Sequence, residues 1–150
     1  MRVFNGMNIS ASALTAQRFR MDVISSNMAN AETTRANFVN GEWQPYRRKM
    51  VDFEPVAGSF NSFLNQAMNT SQDAGQGVRV RSVVEDETPF KMVYNPDHPD
   101  ANADGYVAMP NVDPLKEMID LMSATRSYEA NVTAFNATKG MMMKALEIGK

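Results

Sequence analysis

Cysteine is absent from this 150-residue chain, and histidine occurs once, at His98. The first absence excludes disulfides, thiol catalysis and every zinc site built on cysteine. The second leaves too few imidazoles for a His-ligated metal centre and argues against a Ser-His-Asp triad. A Gly-rich phosphate loop, a G-x-S-x-G elbow and an H-E-x-x-H pair are all missing. Carboxylate pairs exist, but none stands among apolar neighbours that would shift its acidity. No enzymatic activity, cofactor or metal is therefore expected. No run approaches 18 consecutive apolar residues, so no transmembrane span is expected. Net charge is −2, from 15 Lys/Arg against 17 Asp/Glu, which supplies no basic face for nucleic acid. Arg18, Arg20 and Asp22 stand where a signal peptide needs its apolar stretch, so a cleaved secretory signal is not expected.

The charge is unevenly placed. Residues 1–50 hold seven Lys/Arg and three Asp/Glu, net +4, and residues 51–100 hold three and eight, net −5. A basic first third and an acidic middle can steer one subunit onto another, within the roughly 10 Å that salt allows. Methionine is abundant, with 13 residues, six of them after position 108. Its flexible thioether suits surfaces that adapt to several partners, and equally the irregular gaps of a core.

Helical spacing dominates both ends. Leu14, Gln17, Met21, Ile24 and Met28 step by three and four, an a/d seam in a helix expected from Ser10 to about Ala29. Ala and Ser residues flank the seam and permit close approach of a second helix. Thr33, Thr34 and Asn37 weaken helix after Ala31. At the other end, Asp113 suits an N-cap and Pro114 suits the first helical position. The stripe that follows is Met118, Leu121, Thr125, Tyr128, Val132, Phe135, Lys139, Met142 and Leu146. Leu115, Ile119 and Met122 add a second apolar row. The simplest burial of both seams is against each other, as an antiparallel coiled coil, and the longer stripe leaves apolar surface for a neighbour. The same pattern also suits a self-contained coiled-coil adaptor or chaperone, and the residues alone leave both open.

Between the helices the period changes to two. Strands are expected at Tyr46–Phe53, Val78–Val84, Phe90–Tyr94 and Tyr106–Met109, with Glu85-Asp86-Glu87 in a turn. Residues 58–77, rich in Asn, Gln, Ser and Gly, read as a flexible insert. Within it Phe60, Phe63, Leu64, Ala67 and Met68 form a short amphipathic segment that needs a surface to dock on. The fold class expected is α+β: a terminal helical domain from residues 1–35 and 110–150, and a central β-rich and loop region at 36–109.

One loop invites a metal reading. Asp100-Ala-Asn102-Ala-Asp104-Gly105 matches the first half of an EF-hand loop, but Asn111 occupies the twelfth position, where a bidentate Glu is needed. Pro96 and Pro99 also forbid the entering helix. A plain turn-rich loop is expected, with His98 solvated among Asp97, Asp100 and Asp104. Two of the four N-x-Ser/Thr sequons, at Asn131 and Asn136, fall inside the expected second helix, so all four are read as chance.

The run from Ser10 to Arg35, with Ser26, Asn27, Ala29, Asn30 and Thr33 in an S-N-x-A-N-x-x-T pattern, resembles the N-terminal signature of the flagellar axial rod and hook proteins. Gly105–Asp113, Ser123–Val132, Met141–Leu146, Gln44–Tyr46 and Val93–Asp100 resemble the proximal rod members of that family. The general signature continues into a Gly-aromatic pair, which is replaced here by Thr34-Arg35-Ala36-Asn37-Phe38. The stretch 58–77 is longer than the family leads one to expect. The resemblance implies a structural subunit of the bacterial flagellar rod, a drive shaft that polymerises through terminal helices and transmits torque across the periplasm. It also implies export by the flagellar type III apparatus without cleavage. The partners implied are further copies, other rod proteins, the membrane ring and the export-gate adaptor.

Overall fold

A computed structural model describes residues 4–39, 41–56 and 77–149. Helix α1 spans Asn5–Ala29 and helix α2 spans Pro114–Ile148. Three two-stranded sheets lie between them in sequence: β1 (Asn37–Val39) with β2 (Glu42–Gln44), β3 (Lys49–Pro55) with β4 (Val78–Glu85), and β5 (Lys91–Tyr94) with β6 (Tyr106–Met109). The protein is α+β, with a helix at each end and small antiparallel sheets.

Local chemistry accounts for the element ends. The Asp113 carboxylate accepts the Leu115 N–H at 3.1 Å and its carbonyl accepts the Glu117 N–H at 3.0 Å, so Asp113 caps α2 ahead of Pro114. Helix α1 ends where Asn30 turns its side chain onto the Ser26 carbonyl, at 2.9 Å. It begins five residues before the expected Ser10, with Gly6 carried in its first turn and neither Gly nor Pro from Met7 to its end. The pair β1–β2 was not expected. Val39 faces Glu42, leaving a two-residue connection in which Gly41 takes a φ of 91° that other residues resist. In β3–β4 the Val56 N–H meets the Gly77 carbonyl at one end, and the Asp86 N–H meets the Arg48 carbonyl at the other, so the strands run antiparallel. Arg79–Glu54 and Arg81–Asp52 ion pairs cross this ladder. Strand β3 starts at Lys49, three residues later than expected. Tyr46 and Arg48 spend their N–H groups elsewhere, Tyr46 on the Thr33 carbonyl and Arg48 on Asn111 Oδ1. The amphipathic segment Phe60–Met68 lies outside the described residues.

The chain divides into two compact units. One comprises Met1–Phe19, Asp52–Ser82 and Ala124–Lys150, and the other Arg20–Val51 and Val83–Ser123. Among the described residues, the second unit buries Ile24, Tyr46, Val107 and Val112 together with Asn27, Arg48 and Glu117. In the first, the buried side chains are Ser10, Ala16 and Ala124. There the start of β4 approaches α1 closely: Ser12 Oγ accepts the Val78 N–H at 3.1 Å. Gly77, at φ 111°, precedes it, and a Cβ at Gly77 would collide with the Ser12 hydroxyl.

Candidate functional site

The signature motif builds a buried polar clamp in the second unit. Asn27 is 1% exposed and makes four hydrogen bonds. Its amide donates to the Lys49 carbonyl at 2.8 Å and to Glu117 Oε2 at 2.9 Å. Its Oδ1 accepts from the Lys49 N–H at 2.9 Å and the Tyr46 hydroxyl at 3.0 Å. An asparagine side chain offers two donors and two acceptor sites, so every one is used. One residue thereby ties α1, the start of β3 and the first turn of α2.

Glu117 is the other half of the clamp. It is 0% exposed, and its second oxygen accepts from Arg48 Nε at 2.6 Å. Arg48 also donates to Asp120 at 3.2 Å and lies 3.7 Å from Asp86. Burial works against the Arg48 charge. The hydrogen bond to Glu117 and the fields of Glu117, Asp120 and Asp86 outweigh it, so the guanidinium is held above its ordinary value. Asp120 further pairs with Arg20 of α1 at 3.6 Å. Asn111 extends the network, accepting the Arg48 N–H at 2.7 Å and donating to the Asp86 and Thr88 carbonyls. Such a network stabilises only when complete, because removing one member strands the others in low dielectric.

The rest of the motif shapes the exit from α1. Asn30 Oδ1 accepts the Thr33 hydroxyl at 3.2 Å, and the Thr33 carbonyl accepts the Tyr46 N–H. Ser26 and Ala29 are exposed. Thr34 and Arg35 then hold Asp100, the hydroxyl at 2.7 Å and the guanidinium Nε at 2.6 Å. Those hydrogen bonds, Arg35 first and Thr34 second, keep the Asp100 carboxyl below its ordinary value. In the same loop Asn102 Oδ1 accepts the Asp104 and Tyr106 N–H groups. Asp100 and Asn102 thus spend their side-chain oxygens on the chain's own donors while Asp104 stays exposed, and no three metal-ligating side chains converge among the described residues. The Asp100 N–H donates to His98 Nδ1 at 3.1 Å, so the imidazole serves the turn.

The expected seams fall as follows. On α1, Ile24 is buried and Leu14, Gln17, Met21 and Met28 are half-buried. Gln17 Oε1 is buried without a hydrogen-bond partner among the described residues. On α2, Leu121, Thr125, Tyr128, Val132, Phe135 and Met142 are half-buried, while Met118, Lys139 and Leu146 are exposed. The deepest positions of this helix are Glu117 and Ala124, each one residue before a position of the expected stripe. The exposed row is Leu115, Met118, Ile119 and Met122.

Comparison with known proteins fits both ends of this arrangement. Residues 7–36 match the flagella basal body rod protein family, and residues 103–148 match the flagellar basal body rod FlgEFG protein C-terminal family. These spans hold the Asn27 and Glu117 halves of the clamp. Over its whole length the chain is 66% identical across 150 residues to the flagellar basal-body rod protein FlgC of Bacillus subtilis, with 100% of both chains covered. It is 43% identical to that of Escherichia coli O157:H7, again with 100% of each covered. It is 41% identical to that of Borreliella burgdorferi, with 99% of this chain and 98% of the relative covered. The chain belongs to the FlgC family of flagellar basal-body rod proteins. Its family is one of structural rod proteins of the bacterial flagellum.

Proposed function

We propose that this chain is a proximal-rod subunit that polymerises through its terminal helices and carries torque across the periplasm. The helices pair antiparallel as a coiled coil and, with residues 1–35 and 110–150, form the inner wall of the rod. The central region 36–109 lies outside that wall. Two local contacts support antiparallel pairing: Asn27 near the end of α1 bonds Glu117 at the start of α2, and Gly6 near the start of α1 lies against Thr138. The seam is then carried by Leu14, Gln17, Met21, Ile24 and Met28 against the α2 stripe. The chain leaves the cytoplasm uncleaved through the flagellar type III apparatus. Its neighbours are copies of itself, other rod proteins, the membrane ring and the export-gate adaptor.

The observation that carries this reading is the uncovered apolar row on α2. Leu115, Met118, Ile119 and Met122 sit at helical spacing and stand open, as do Met141, Leu146 and Ile148 toward its end. A helix exposing apolar residues on this scale requires a partner. Ile119→Asp and Met122→Asp test it: both chains are made at normal level, and rod assembly and swimming are lost. Normal motility in both variants contradicts the proposal.

A further inference from the structure

Two β ribbons of the Arg20–Val51 and Val83–Ser123 unit leave aromatic faces open. On β1–β2, Phe38 and Trp43 stand directly opposite each other, with ring centroids 5.1 Å apart, and are 61% and 54% exposed. On β5–β6, strand alternation puts Met92, Tyr94 and Tyr106 on the face opposite buried Val107. Tyr94 and Tyr106 stack edge to face at 5.3 Å, and Tyr94 is 65% exposed. Neither face covers the other within one chain. A two-stranded ribbon is marginal in water on its own, and exposed aromatic clusters mark contact surfaces.

The charges beside the two faces are opposite. Arg35, Arg47 and Lys49, with Ala36 and Asn37 at the root of β1, line a polar groove of about 370 Å³ that also holds Glu85. Arg47 and Lys49 have no ion-paired carboxylate among the described residues. The turn at the tip of β5–β6 carries exposed Asp97 and Asp104, which are likewise unpaired, beside Asp100 held by Arg35. The minority charges are Glu42 on the first ribbon and Lys91 on the second.

We infer that the aromatic face and cationic groove of β1–β2 receive the aromatic face and acidic tip of β5–β6 from a second copy of this chain. The aromatic residues supply buried area, and the charges set orientation. Two different patches on one subunit form a heterologous contact, which propagates head to tail and does not close as a symmetric pair. The contact uses neither helix, so it stands apart from the helix-borne assembly proposed above.

The cysteine-free sequence permits a clean test. Full-length Asn37→Cys and Asn95→Cys chains, which keep all four aromatic rings, are mixed and oxidised, one of them tagged. The mixed disulfide dimer forms at least about fivefold above the dimer that either variant forms alone, and raised salt lowers the yield. A chain with both substitutions gives a ladder of oligomers. Arg47→Glu with Lys49→Glu on the Asn37→Cys chain lowers the yield about fivefold. Asp97→Lys with Asp104→Lys on the Asn95→Cys chain restores it. Circular dichroism verifies that each variant keeps the parent helix content. Equal yields in mixed and single samples, or a double variant that closes its disulfide within one chain, overturns the inference. Helix-borne assembly measured by sedimentation is unaffected by that outcome, so failure here leaves the rod reading standing.

Discussion

The two compact units are held by different chemistry. The unit comprising Arg20–Val51 and Val83–Ser123 buries a charged and amide network, Asn27–Glu117–Arg48, packed with Ile24, Tyr46, Val107 and Val112. The unit of Met1–Phe19, Asp52–Ser82 and Ala124–Lys150 buries Ser10, Ala16 and Ala124 among its described residues. Small buried side chains contribute little area, since burial is worth roughly 25 cal/mol per Å² of apolar surface. Hydrogen-bond satisfaction fixes one arrangement in the first case. In the second, apolar residues such as Phe4, Met141, Leu146 and Ile148 remain exposed. A buried polar network thus specifies the place where the end of α1 meets the start of α2, while both units leave apolar side chains of α2 exposed, Leu115, Met118, Ile119 and Met122 in the first and Met141, Leu146 and Ile148 in the second.

Removal of Glu117 should have the largest effect on stability. Glu117→Ala takes the closest carboxylate from Arg48, which keeps Asp120 and the more distant Asp86, and one of two acceptors from the Asn27 amide, a loss of about 3 kcal/mol. Urea unfolding followed by fluorescence of Trp43, the one tryptophan, reads this directly. A change under about 1 kcal/mol would show that the network is incidental.

A smaller effect is expected where β4 begins. Gly77→Ala combines a φ of 111° with a collision at Ser12 Oγ. It should cost about 1–3 kcal/mol. Amide exchange should quicken at Val78–Ser82 and leave Lys91–Met109 unchanged. Equal loosening of both stretches would contradict separate support of the two units.

Acid sharpens the contrast further. The Thr88 N–H and hydroxyl hold Asp86 below the ordinary value of 3.8, as Arg35 and Thr34 hold Asp100. A carboxyl depressed on folding contributes stability that is complete above the unfolded value and is lost as pH falls through the folded one. The urea midpoint read at Trp43 should therefore fall as the pH drops below 3.8. A midpoint flat across that window would contradict the assignment. The smallest effect belongs to the exposed Lys144–Glu147 pair on α2. Lys144→Ala should change stability by less than about 0.5 kcal/mol, measured by the same unfolding curve.

Much of this architecture is legible in the residues. Asp113 and Pro114 mark the start of α2, and alternation locates β4, β5 and β6 to within a residue or so. The S-N-x-A-N-x-x-T pattern marks the clamp without revealing it, because four hydrogen bonds to one asparagine depend on residues 19, 22 and 90 positions away. The hairpin at Asn37–Gln44 carried a usable signal, the Asn40-Gly41 dipeptide between Phe38-Val39 and Glu42-Trp43. Its three-residue strands are too short for periodicity to report. The α2 stripe read by apolar spacing takes in Met118 and Thr125, whereas the deepest side chains are Glu117 and Ala124. Hydropathy cannot rank a glutamate as the deepest side chain of a helix. Only the Arg48 guanidinium, from the residue before β3, and the Asn27 amide of α1 make that position stable.

Peptide-resolved hydrogen exchange on the purified full-length monomer tests the central claim most directly. Slow exchange is expected at Arg20–Ala29, Lys49–Val51 and Pro114–Ser123, where the clamp closes, with fast exchange at Asn5–Ser10 and Thr133–Ile148. Equal protection along the full length of both helices would contradict it. The chain would then be a closed helical core that needs no neighbour.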